Sequence, residues 1–125
     1  MNENAKMWAK ELPNFKQGRN TLGSEKDGLC CLGVACVLYE RETGNRLPRR
    51  PGESGKFGDD KLAGPFRVVQ AWLGLKGASG RYYFGAENGR DRTSLALRND
   101  SGMTFTEIQK IILSEPEGLF MEDAA

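Results

Sequence analysis

The stretch from Leu29 to Tyr39, LCCLGVACVLY, is the most apolar in the chain and sets what everything else must fold around. Cys31, Val34, Ala35 and Leu38 recur at i, i+3, i+4 and i+7, the spacing of one helical face. Val34 and Val37 keep a buried strand open as an alternative, but the length of the run and the stop signal at Gly44 favour a helix. Inside such a helix Gly33 costs about 1 kcal/mol relative to alanine. A glycine at that position marks a place where another backbone passes close by.

The same segment holds all three cysteines, Cys30, Cys31 and Cys36, in apolar company. An odd number of thiols buried among Leu, Val and Ala reads as reduced core cysteine and a reducing compartment. A structural zinc site needs four nitrogen or sulfur ligands, and the chain has no histidine and no fourth cysteine. The sequence therefore gives no reason to expect a metal or a cofactor. Lacking histidine, the chain also cannot use Ser-His-Asp or Cys-His nucleophile pairs. Carboxylate chemistry stays open, yet Asp59-Asp60 is the one adjacent acidic pair before the acidic tail, and nothing sets it opposite another acid.

Around this segment the sequence predicts an α+β fold. Three to four short helices pack with a small antiparallel hairpin, and the whole is rich in loops. Asn4 caps a first helix that runs to Leu12, where Pro13 stops it. Phe15 to Leu22 is an extended arm. Residues 45–64, rich in glycine, proline and mixed charge, form a long loop of the kind that is functional or disordered. Pro65 opens a helix carrying Phe66, Val69, Trp72 and Leu73, and Gly74 ends it. Arg81–Phe84 and Arg92–Leu95 flank Asn88-Gly89 as a hairpin. Thr104-Phe105-Thr106-Glu107 has the form of a capping box before a last helix bearing Ile108, Ile111 and Ile112. This organisation gives one α+β domain over residues 1–114 and an acidic tail over 115–125, whose Leu119-Phe120-Met121 retains the means to dock.

Length and charge narrow the function. With 125 residues there is room for one core. No apolar run reaches bilayer length, and the polar N-terminus lacks the order of a signal peptide, so a cytoplasmic location without membrane attachment is expected. All 18 Lys and Arg lie in residues 1–114 against 13 acids, a body charge of +5, while the tail from Glu115 carries −4. A charge of that size does not favour strong non-specific binding to RNA or DNA.

The glycine-rich run Gly52-Glu53-Ser54-Gly55-Lys56 lacks a phosphate loop's glycine at position 50 and its hydroxyl at 57; Arg50 and Phe57 stand there. The better candidates are basic and aromatic. Arg81, Arg92 and Arg98, with Arg90, surround the hairpin and interleave with Tyr83 and its neighbours Tyr82 and Phe84; guanidinium forks beside aromatic faces suit a nucleotide, RNA or an acidic protein surface. The plainer reading is a hairpin with alternate aromatics in the core and its arginines solvated. Asn99 and Asp100, at the entrance to the last helix, and Gln17 and Arg19, on the arm, either hold turns or bind a ligand.

Trp8, Gln17-Gly18-Arg19, Cys30 to Val34, Trp72 to Leu75, Asn99-Asp100 and Phe105 to Ile108 together resemble a pattern in uncharacterised small proteins of phages and prophages. The pattern spans most of residues 8–112. It departs at Ala35-Cys36-Val37, where Leu-Cys-Asp is usual, and at Gln109, where Ala is common. The resemblance implies a mobile-element accessory protein that binds rather than catalyses. Its partner would be a host protein, or a small anionic ligand such as a signalling nucleotide, in antagonism of host defence. Small carboxylate-dependent hydrolysis and weak nucleic-acid binding are the alternatives. A homo-oligomer would let hairpin arginines meet across an axis and build a composite anion site.

Overall fold

The apolar run does form a helix, and the chain on either side wraps it. In the computed structural model, which describes residues 1–50, 55–58, 66–85 and 91–121, this helix (α2) spans Cys31–Thr43. Cys30 caps it, with Sγ accepting from the Gly33 N–H, and Gly44 ends it in the left-handed conformation, φ 75°. Every residue from Cys31 to Tyr39 is buried, so the helix is central rather than half-solvated. Its start falls two residues later than the apolar run, because Gly28–Leu29 pairs with Gly23–Ser24 as a short antiparallel ladder, β1 (Gly23–Ser24) with β2 (Gly28–Leu29).

Gly33 meets the backbone it was expected to meet. A Cβ there would lie 2.0 Å from the Leu22 carbonyl oxygen, so the arm from Phe15 to Leu22 crosses the first turn of α2 in direct contact. The arm is tied down by Gly18 N–H to Leu29 O (2.7 Å), Leu29 N–H to Lys16 O (2.9 Å) and Cys30 N–H to Leu22 O (3.3 Å).

The first helix, α1, covers Glu3–Glu11 and is capped by Asn2, whose side chain accepts from the Ala5 N–H at 2.8 Å. The expected cap, Asn4, instead donates to the Trp72 carbonyl (3.0 Å) and joins α1 to α3, Phe66–Leu73. Pro13 lies in a tight 3-10 turn over Leu12–Asn14, as the sequence predicts a stop there. Trp8, fully buried, donates its indole N–H to Cys31 O at 2.8 Å, fixing α1 against α2. Tyr39 and Trp72 meet edge-on at 5.6 Å between α2 and α3.

The hairpin pairs β3, Arg81–Phe84, with β4, Asp91–Ser94, and Arg81 stands opposite Ser94. Its Asn88-Gly89 turn lies outside the described residues. The second strand ends one residue earlier than expected, because Leu95 opens a helix the sequence did not signal: α4, Leu95–Asp100, capped by Ser94. Six residues are too few for a periodic pattern to register. The last helix, α5, runs Phe105–Leu113 behind the complete capping box of Thr104 and Glu107. Gln109, the departure from the resembled pattern, donates to Ala9 O (2.8 Å) and ties α5 to α1. Beyond Ser114 the chain returns to the body. Leu119 is fully buried, and Lys76 N–H to Leu119 O, Met121 N–H to Gly74 O and Tyr83 N–H to Glu117 O anchor the return. No helix among the described residues is long and apolar enough to cross a membrane.

Of the long loop, the described part packs. Phe57 is buried beneath the Arg49 guanidinium at 4.1 Å, and its N–H reaches Gly23 O at 3.0 Å. Arg49 in turn grips Glu40 through both carboxylate oxygens at 2.6 and 2.8 Å, and Glu40 also accepts from the Leu47 N–H. The Arg49 hydrogen bonds, aided by the Leu47 amide, hold the Glu40 carboxyl below the usual glutamate range despite partial burial. A lowered folded-state pKa adds stability above the unfolded value and loses it as pH falls through the folded one. Stability should therefore decline through this group as pH falls below the ordinary glutamate value of about 4.3. Urea melts of Glu40→Gln should show a shallower acid decline than the unmodified chain.

Candidate functional site

Four stretches distant in sequence enclose a cleft of about 700 Å3: the arm at Asn20–Leu22, the first turn of α2, the turn before β3, and α4. That volume lies within the range of about 300–1,000 Å3 common to small-molecule sites. Leu22, Leu32, Ala78 and Ala96 supply its apolar wall, and Arg81 and Asp100 its charges.

The wall is held by internal bonds rather than by loop chance. Asn99, fully buried, accepts from the Cys31 N–H (3.2 Å) and from Gln17 Nε2 (3.0 Å), and donates to Gly18 O (2.8 Å). Gln17 continues the knot, donating to Met103 O at 2.7 Å and accepting from the Phe105 N–H at 3.2 Å. One side chain from α4 and one from the arm thus join the starts of α2 and α5. The turn before β3 is fixed too, since Ser79 and Gly80 carbonyls accept the first amides of α4, those of Ala96 and Leu95. Asp100 Oδ1 then takes the Asn20 N–H at 2.7 Å, where Asn20 sits at φ 70°, a left-handed position asparagine tolerates.

The eight residues singled out in the sequence divide five ways. Arg81 and Asp100 come together in the cleft. Arg92 and Tyr83 lie on the hairpin face beside it, with Arg81 shared between the two regions. Gln17 and Asn99 are spent on the internal knot. Arg98 turns away, its Nε donating to Tyr82 Oη (3.2 Å) and its guanidinium 4.8 Å over the Phe84 ring. Arg19 is exposed beside Gly102. Sequence reasoning missed the apolar wall, and it placed Cys30 and Leu32 wholly in the core; both reach the cleft. Nothing in a linear pattern joins positions 22, 32, 78 and 96.

Chemically the cleft offers one cation, one carboxylate and apolar surface. Arg81 is exposed and takes part in no ion pair among the described residues, so its planar fork is available to a carboxylate or phosphate. Asp100 accepts one backbone amide and can accept a hydroxyl or amine besides. The Cys31 thiol lies behind the wall, pushed well above its ordinary range by burial and then by Cys30, and stays neutral and inert.

Fold and site together define a small α+β domain in which helices and one hairpin frame a cleft of small-molecule size. The chain belongs to the family described as a domain of unknown function (DUF8296), whose match covers residues 1–115. Neither a curated protein nor a solved structure matches it.

Proposed function

We propose that this chain is a non-enzymatic binding protein that holds a small anionic ligand of the nucleotide class in the cleft at Arg81. The observation that carries the reading is an unpaired guanidinium at the edge of an apolar-walled cleft of about 700 Å3. Arg81 takes the anionic group, Asp100 accepts from a sugar hydroxyl or base amine, and Leu22, Leu32 and Ala96 cover the flat body. Such a division between a few convergent polar groups and an apolar wall is the usual make-up of a ligand pocket. The resemblance to phage and prophage proteins gives the binding a purpose: withholding a signalling nucleotide from host defence.

The test is calorimetric titration with the monophosphates of the four common ribonucleosides. One of them should bind, and Arg81→Ala should weaken it by roughly tenfold or more, the loss expected for a charge-assisted hydrogen bond. The Arg81 side chain is exposed, so circular dichroism of the variant should match the unmodified chain. Absence of binding by every nucleotide overturns the reading. Conversion of the nucleotide during titration, lost in Asp100→Asn, would replace a binding protein by an enzyme.

A further inference from the structure

The cleft does not end at Arg81. Beyond it lies a second depression of about 410 Å3, which shares Ser79 and Arg81 with the cleft and adds Arg92, Thr93, Ser94 and Leu97. The hairpin register explains why these groups meet. Arg81 pairs with Ser94 and Tyr83 with Arg92, and side chains alternate across a strand, so Arg81, Tyr83, Arg92 and Ser94 share one face. Arg81 and Arg92 are diagonal neighbours on that face, about 7–8 Å apart by the geometry of an antiparallel pair. On the other flank, Lys76 joins both arginines around a smaller hollow next to Gly118.

Two arginines and a lysine thus gather on one small surface, and among the described residues none of the three forms an ion pair. Like charges at such spacing repel, and the cost is relieved when a polyanion lies between them. Asp91, the nearest acid in sequence, pairs with Phe84 in the ladder and belongs to the opposite face. The hydroxyls of Ser79 and Ser94 add donors of the kind that accompany arginine at phosphates.

Resting on the cleft reading, the geometry points to a ligand with more than one phosphate: its nucleoside fills the cleft, its first phosphate meets Arg81, and the following phosphates run along the hairpin face to Arg92. The preferred ligand is therefore a nucleoside di- or triphosphate, the monophosphate binding more weakly through the cleft alone.

Titrating the mono-, di- and triphosphates of the four ribonucleosides at one ionic strength decides it. For the preferred base the triphosphate should bind at least about tenfold tighter than the monophosphate. Arg92→Ala should abolish that difference and leave monophosphate affinity unchanged, whereas Arg81→Ala should weaken every member of the series. Equal affinities across the series, or an Arg92→Ala loss as large for the monophosphate as for the triphosphate, overturn the extension while the cleft reading survives. If no nucleotide binds, both fall.

Discussion

Gly33→Ala is expected to lower stability by about 3–5 kcal/mol, although alanine is the better helix former. Helix propensity alone predicts the reverse, a gain of about 1 kcal/mol. The decision lies in one distance. A methyl group at position 33 would sit 2.0 Å from the Leu22 carbonyl oxygen and 3.1 Å from a Leu29 methyl carbon. The nearer neighbour is backbone, which cannot rotate away, so the arm must lift from α2. Lifting it strains the bonds from Cys30 and Gly18 that hold the arm down, and it opens the Leu22 side of the cleft. Against a typical total stability of about 5–15 kcal/mol, that is a large share. Thermal melts should show a midpoint roughly 10–20 °C lower. A midpoint equal to or above that of the unmodified chain would mean the arm does not cross α2 as described. Under the proposed function, nucleotide affinity should fall with it, because the displaced arm carries Asn20 and Leu22 of the cleft.

This glycine also shows how far the sequence could be read. That a backbone must pass close to position 33 follows from a glycine inside an apolar helix. Which backbone it is does not follow, since Leu22 is brought there by a turn through β1 and β2 that only folding specifies. The capping box at Thr104 was legible for the same local reason: both partners lie within four residues. α4 was not, because a six-residue helix offers too little period, and Ser94 serves equally as strand end and helix cap. The cleft was legible only in part. Arg81 and Asp100 stand out as charges in an otherwise structural setting, whereas the apolar wall consists of residues that any core would contain. Asn99 and Gln17 were visible as unusual polar residues, but their type does not say whether a polar side chain faces a ligand or another part of the chain. Burial decides that, and burial is a tertiary property.

Asn99→Ala should be as damaging as Gly33→Ala, for a different reason. The amide of Asn99 is completely buried and uses three hydrogen bonds, to the Cys31 N–H, Gln17 Nε2 and Gly18 O. Cys31 is the first residue of α2, so its N–H has no partner within the helix, and Asn99 Oδ1 supplies one. Truncation leaves that N–H unpaired in the interior and strips the half-buried Gly18 carbonyl of its partner, at about 1–3 kcal/mol each. Gln17 retains its bond to Met103 O, so its share of the loss is smaller. A total of about 3–5 kcal/mol is expected, read as a shift in the urea midpoint with little change in slope. Asn99→Asp separates hydrogen bonding from packing, since it keeps the shape and the acceptor to Cys31. At neutral pH it turns a carboxylate oxygen toward the Gly18 carbonyl, and burial raises the pKa of the new carboxyl. A raised folded-state pKa favours the fold at low pH and costs stability as pH rises through it. The gap between Asn99→Asp and the unmodified chain should therefore narrow as pH falls toward the ordinary aspartate value of about 3.9. A gap independent of pH would show that position 99 is not enclosed. Asn99 would then be free to face a ligand, and the cleft would lose the tie that holds α4 against the first turn of α2.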